Sequence, residues 1–411
     1  MSAAGLLPWR ARAALVATRT ANDVSRWVGA GNGTVIGGRV GLAIDPHLLA
    51  RLAGGRTVAL VSGTNGKTTT TRLLAVALAG PGADVATNAS GSNMPPGHVA
   101  ALVGARAGVP AVLEVDEGYL PRLVALVSPE VVALLNLTRD QLDRTNEVRM
   151  VARRWREALG AAAQTTVVAN ADDPLVTWGA QSAAHHVWVA AGLAWRSDAV
   201  GCPACEGRIE FAGDTWACTC GFARPDVDLR LEGDAAVLRD GTRICFSLQL
   251  PGRFNRANAL VAAAAAGVLG VPPDVALERM GEVEQVAGRF AVMAVAGRSA
   301  RLMLAKNPAG WMELLDLVCP GEGPVVVGIN ARVADGRDPS WLWDVPFERL
   351  RGRPVVATGE RCLDLSVRLH YGGVDHETVR DPVAGVRAAP PCAEVTFIGN
   401  YTAFYDLLAR R

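Results

Sequence analysis

The sequence predicts an α/β protein built on parallel sheets: a phosphate-loop domain, a four-cysteine zinc ribbon inserted in it, and a smaller α/β domain behind. Three observations carry this. Residues 57–71, Thr-Val-Ala-Leu-Val-Ser-Gly-Thr-Asn-Gly-Lys-Thr-Thr-Thr-Thr, pass from a β-branched apolar run through glycines into a helical pattern. Short apolar strands and helical stretches then alternate, the mark of a parallel sheet that binds ligands at the carboxyl ends of its strands. The alternation restarts in the last third of the chain, after an interruption carrying two close cysteine pairs.

Composition bounds the function. The 411 residues are 50% hydrophobic and 20% charged, enough for two or three domains with sizeable cores. A formal net charge of +1 gives no sign of a nucleic-acid binder. The longest apolar run, 259–271, is too short to span a bilayer. Arg10 and Arg12 follow Leu6 and Leu7, which is not the order of a secretory signal, so a cytoplasmic location is expected. Only Lys67 and Lys306 are lysines, against 39 arginines. An ammonium is not interchangeable with a guanidinium at a phosphate site, which draws attention to both.

Residues 5–30 read as an amphipathic helix ending in a glycine-rich turn, 29–38, and 46–52 as a second short helix. The first helix can touch a membrane or pack on the next domain, and packing is the expectation. Strands are expected at 57–62, 84–88, 111–116, 131–136 and 165–170, with helices between them, for example 121–127 and 148–163. The first strand leads into Gly63-Thr64-Asn65-Gly66-Lys67-Thr68-Thr69, a phosphate cradle in which backbone N–H groups, a helix N-terminus and Lys67 meet anionic oxygens. The first glycine of the general P-loop would fall at Val61, a departure. Polar residues close the later strands: 88–93, Glu114 to Glu117, 136–143 and 170–173. A carboxylate such as Glu114, beside the hydroxyl of Thr68, is placed to hold Mg²⁺, whereas Asp140 and Asp172 read equally well as helix caps.

Cys202 and Cys205, then Cys218 and Cys220, lie on β-like segments and have the spacing of a tetrahedral structural zinc ribbon at about 198–225. The remaining cysteines are scattered singly, which suits a reducing compartment better than disulfides. Strands near 228–232 and 244–250 precede Pro251 to Asn258 and an alanine-rich helix. Asn255 and Asn258, three apart, share a face and can read an adenine edge or position phosphates. A boundary is expected near 293–298, giving segments 1–56, 57–295 and 296–411. The last segment has strands at 300–305, 324–329, 354–357 and 395–398. After the second comes a loop, 334–344, with three aspartates, an arginine and two tryptophans, which exposed would be costly without a partner surface.

These motifs resemble a family. Gly63 to Thr69 is similar to the ATP loop of the Mur ligases and folylpolyglutamate synthases, which also lack the first glycine. Residues 136–143 resemble their N-x-x-x-D-H-L-D segment, with Gln141 in place of histidine, and Gly252 to Asn258 their G-x-H/F-N-x-x-N segment. The large N-terminal domain of the classical ligases is absent, the Cys₄ ribbon is added, and Met303 to Pro308 replaces D-Y-A-H-N-P. Together these features look like the MurT family, synthetase subunits of lipid II isoglutaminyl synthases. That resemblance implies a Mur ligase-type fold, with Thr64 to Thr69, Asn255, Asn258 and Arg289 at ATP and Thr68 and Glu114 at Mg²⁺. It implies ATP-dependent amidation of lipid II through an acyl phosphate. It also implies a heterodimer with GatD, a glutamine amidotransferase subunit whose Cys-His pair Asp338 would complete, at the inner face of the plasma membrane with membrane contact through the substrate only. The carbamylated lysine of the classical ligases has no counterpart, since no lysine lies between Lys67 and Lys306. A free-standing amino-acid ligase and a catalytically silent nucleotide-binding scaffold are the competing readings.

Overall fold

The computed structural model describes residues 7–27, 34–80, 84–88, 92–139, 148–284 and 289–410. They fall into two compact units. The first takes in residues up to 137, 148–249 and 254–284; the second takes in 138–139, 250–253 and 289–410.

The first unit begins with three helices, α1 (Trp9–Trp27), α2 (Thr34–Ile44) and α3 (Leu48–Ala53). The glycine-rich segment expected as a turn is helical from Thr34 on, and its earlier part, with the end of the expected first helix, lies outside the described residues. The glycines serve close approach instead of a turn. A Cβ on Gly38 would meet the carbonyl oxygen of Pro96 at 1.9 Å, and one on Gly41 would meet Thr18 Oγ1 at 2.2 Å. Their packing value outweighs their poor helix propensity.

Six strands follow in alternation with helices: β1 (Val58–Ser62), α4 (Lys67–Ala79), β2 (Ala86–Thr87), α5 (Pro95–Gly104), β3 (Ala111–Val115), α6 (Leu120–Val127), β4 (Val131–Leu134), α7 (Val148–Gly160), β5 (Thr166–Asn170), α8 (Pro174–Ala180) and β6 (His185–Ala190). All six pair in parallel, and β1, β3 and β4 are buried along their whole length, as strands covered on both faces must be. The four-cysteine insertion is a hairpin, β7 (Ile209–Ala212) and β8 (Thr215–Cys218). The sheet is then extended by a meander, β9 (Leu229–Glu232), β10 (Ala235–Leu238) and β11 (Arg243–Cys245), of which β10 is not evident in the sequence. Its order becomes β11-β10-β9-β6-β5-β4-β1-β3-β2. Two helices close the unit, α9 (Arg253–Val268) and α10 (Pro273–Met280). The alanines of α9 are all buried, so their small size sets its close packing.

The second unit is a six-stranded sheet with the order β12-β13-β17-β14-β15-β16. Its elements are β12 (Phe290–Val295), β13 (Arg298–Leu304), α11 (Pro308–Val318), β14 (Val325–Gly328), β15 (Val355–Thr358), α12 (Cys362–Tyr371), β16 (His376–Thr378), α13 (Pro382–Ala388), β17 (Val395–Gly399) and α14 (Tyr401–Leu408). Every pair is parallel except β12 with β13. The turn of this hairpin occupies the place where the sequence suggested a domain boundary.

Candidate functional site

The site grows from the end of β1. Gly63 and Gly66 have φ values of +139° and +86°, a backbone region that favours glycine, and they let the chain fold over itself before α4 begins at Lys67. Asn136, beyond β4, clamps the loop. Its carbonyl accepts from Thr64 N and its side chain bonds both N–H and C=O of Asn65, at 2.9–3.1 Å. Asn258 of α9 lies against the turn, since a Cβ on Gly66 would meet its Oδ1 at 2.5 Å. Asn255 stands one turn earlier on the same helix, and both amides are buried.

Lys67 is almost wholly buried. Its Nζ donates to the carbonyls of Gly63 and Thr64 and pairs with Glu117 at 3.1 Å. Thr68, next in the first turn of α4, donates from Oγ1 to Glu114 Oε2 at 2.8 Å. Hydroxyl and carboxylate oxygens converging at a helix N-terminus are the donor chemistry that suits Mg²⁺.

Glu114 is held by Asn88, which the sequence placed in a polar strand end without this role, and by His98, which it did not single out. Strand β2 ends at Thr87, which would leave the edge of β3 without ladder partners there. The side chain of Asn88 continues the ladder, accepting from Glu114 N and donating to Glu114 O, each at 2.8 Å. His98, fully buried on α5, bonds the same carbonyl through Nε2 at 2.8 Å, while its Nδ1 has no partner among the described residues. A single histidine in the otherwise apolar stretch 95–104 was the available signal. Burial pushes His98 down to about 4 although the bond to Glu114 favours protonation. The unfolded chain takes up this proton near the ordinary pKa of about 6.5, so folding stability is full above that pH and falls as pH drops towards 4. His98→Gln is therefore expected to be less stable than the native chain at pH 7, with the gap in urea midpoint closing towards pH 4. A gap independent of pH would contradict a buried neutral ring.

The cysteines form a compact second cluster. Their sulfurs all lie within 4.8 Å of one another, with Cys202 and Cys220 at 3.8 Å and Cys205 and Cys218 at 3.6 Å. Four thiolates about 2.3 Å from a tetrahedral ion stand about 3.8 Å apart, so the cluster has the dimensions of a metal site. The ribbon is fastened to the end of β5: Trp216 Nε1 donates to Ala171 O at 3.0 Å, and Arg224 pairs with Asp172 at 2.6 Å. Asp172 is thus a fastening for the ribbon and not a helix cap. The cap of α8 is Asp173, whose carboxylate accepts from the N–H groups of Leu175 and Val176 and also from Leu137 N. Burial pushes its carboxyl up to about 6 against the pull of these three donors.

In the second unit, Asp338 is exposed on the loop after β14 and accepts from Ser340 N at 2.9 Å, which holds its carboxyl below the usual range. The loop differs from a solvated turn carrying two exposed tryptophans. Trp341 is buried beside Trp311, and only Trp343 of the pair is exposed, against Tyr371. Asp335 is buried as well, accepting from Thr402 N and Oγ1. Arg289 precedes β12, and its carbonyl accepts from Leu304 N at 3.2 Å. The structure therefore brings Thr64 to Thr69, Asn258 and Glu114 together in the first unit, while Arg289 and Asp338 belong to the second. Residues 140–147, the acidic part of the segment after β4, and residues 89–91 and 285–288 lie outside the described residues.

Comparison with known proteins follows this division. The Mur ligase middle domain model matches residues 61–201, and the MurT ligase C-terminal model matches residues 304–404. The chain is 29% identical to the lipid II isoglutaminyl synthase (glutamine-hydrolyzing) subunit MurT of Streptococcus pneumoniae over 93% of both chains. It is 28% identical to the subunit of that name from Staphylococcus aureus over 87% of both. Among solved structures, a pseudomurein peptide ligase type C from Methanothermus fervidus superimposes with a TM-score of 0.65 at 21% identity, covering 86% of this chain and 79% of that one. MurF ligase from Thermotoga maritima in complex with ADP does so with a TM-score of 0.62 at 16% identity, covering 90% and 83%. The phosphate loop, the parallel sheet behind it and the two matched domains make the chain similar to the Mur ligases, and over nearly its whole length to the MurT subunits.

Proposed function

We propose that the chain is the ATP-using subunit of a lipid II isoglutaminyl synthase, amidating the α-carboxylate of D-glutamate in the stem peptide to give D-isoglutamine. The observation that carries this reading is the contact of Thr68 with Glu114 beside buried Lys67, in a chain alike over nearly its whole length to proteins of that name. A carboxylate is a poor electrophile. Transfer of the γ-phosphoryl group of ATP to one of its oxygens gives an acyl phosphate and ADP; ammonia then attacks the carbonyl carbon and phosphate leaves. Lys67 stabilises charge on the transferred group, and the loop N–H groups orient the β- and γ-phosphates. Mg²⁺, for which Thr68 and Glu114 are the fitting donors, supplies further charge neutralisation.

The ammonia comes from a GatD-type glutamine amidotransferase partner, with Asp338 as the acidic member of its triad, and the pair works at the cytoplasmic face of the membrane. Among the described residues no helix is long and apolar enough to cross a membrane. The test is ATP hydrolysis by the copurified pair: it should require both glutamine and lipid II and yield amidated lipid II. Turnover with a free amino acid in place of glutamine would favour a free-standing ligase instead.

The ribbon ion is zinc, in a structural role, because four thiolates leave no coordination position open. Metal analysis is expected to find one zinc per chain. Its removal by a chelator under reducing conditions, or Cys218→Ser, should lower the Tm and quench the packing of Trp216, read by fluorescence. Full stability after complete metal loss would argue against this role.

A further inference from the structure

Helix α1 has two unlike faces. Ala11, Ala14, Thr18 and Ser25 are buried on the inner one, where Gly37 and Gly41 of α2 bring the backbones so close that added Cβ atoms would collide with Asn22 and Thr18. The helix is thus fixed in rotation, and its outer face cannot turn inward. Along that face Trp9, Ala13, Val16, Thr20, Val24 and Trp27 recur at spacings of three and four. Trp9 is 80% exposed, Trp27 89%, Val16 65% and Val24 52%. Between the tryptophans runs a shallow open trough of about 740 Å³, floored by the small side chains of α1.

The charge around this stripe has one dominant sign. The helix carries four arginines and a single aspartate. Arg12 and Arg19, seven residues apart, stand exposed along one flank, where long guanidinium side chains can reach outward from an apolar surface. An apolar stripe ended by tryptophans and edged by arginines fits the boundary between acyl chains and anionic headgroups. From Trp9 to Trp27 it measures ~27 Å along the axis, and the helix is not apolar enough to cross a membrane.

We propose that α1 is an interfacial helix that seats the ATP-binding unit on an anionic membrane surface, so that membrane contact does not depend on the substrate. The purpose of this contact, meeting a lipid-linked substrate, rests on the function proposed above, whereas the binding itself does not.

The test uses the copurified complex, or the full chain, with vesicles free of lipid II. Co-sedimentation is expected with vesicles of equal parts phosphatidylglycerol and phosphatidylcholine, and not with phosphatidylcholine alone. High salt should release it. Replacing Trp9, Val16, Val24 and Trp27 by serine should weaken binding by about tenfold or more with unchanged circular dichroism, and Arg12→Glu with Arg19→Glu should do the same. Amidation of lipid II in anionic vesicles should fall in the serine variant, while that of a water-soluble short-chain analogue stays at the native rate. Equal sedimentation with both vesicle types, or undiminished binding by the serine variant, would overturn the proposal. So would a serine variant that loses its amidotransferase partner with vesicle binding unaltered, which would assign the face to protein. If no substrate is amidated and the vesicle results hold, the functional reading falls and the membrane helix stands.

Discussion

Lys67→Arg is expected to reduce amidation by about 10²–10³-fold or more, although charge is conserved. The ammonium is buried and donates to two loop carbonyls and to Glu117. A planar guanidinium is larger, directs its donors in a fixed fork and cannot occupy the same volume between Gly63, Thr64 and Glu117 without opening the loop. The loss should appear in kcat for ADP release in the presence of lipid II and glutamine, and added ammonia should not restore it. Far-UV circular dichroism should remain native. Retained turnover in Lys67→Arg would remove the phosphate role assigned to this residue.

Asp338→Asn is expected to affect the other half-reaction. A triad carboxylate holds the histidine tautomer and stabilises the imidazolium, and loss of its charge with shape retained costs about 10³–10⁴-fold in comparable triads. Glutamine hydrolysis by the complex should fall on that scale, while amidation driven by added ammonia stays near the native rate. The side chain is exposed and its local bond to Ser340 N tolerates an amide acceptor, so folding should be unaffected. Unchanged glutamine hydrolysis would sink the assignment. The opposite responses expected of Lys67→Arg and Asp338→Asn to added ammonia separate the two chemistries in one assay.

Local signals were legible in the sequence. Strand β1, its glycines and α4 are contiguous, so apolar run, turn and helix start could be read directly from residues 57–78. The cysteine pairs announced, through their spacing, a cluster of four sulfurs that could hold a metal ion. Glu114 was legible as a strand-end carboxylate, though its meeting with Thr68 joins residues 46 apart. Asn88 and His98 were not legible in their role, because what they satisfy is the backbone of Glu114, and backbone groups leave no trace in a sequence. Trp341 and Trp343 look alike in sequence, yet one is buried and the other exposed; which is which depends on the packing of α11 and α12 beneath the loop.

By itself the sequence determined the fold class, the glycine loop with Lys67 and Thr68, the four-cysteine cluster and the family resemblance, because each rests on residue type and short-range spacing. Tertiary structure alone decided that the glycines of α2 are contact points and not a turn, that Asp172 fastens the ribbon, and that Asn88 and His98 hold Glu114. It also decided that α1 turns its tryptophans outward. These outcomes depend on which groups lie close in space and which backbone donors and acceptors a strand end leaves unsatisfied, and both are set by packing between segments distant in the chain.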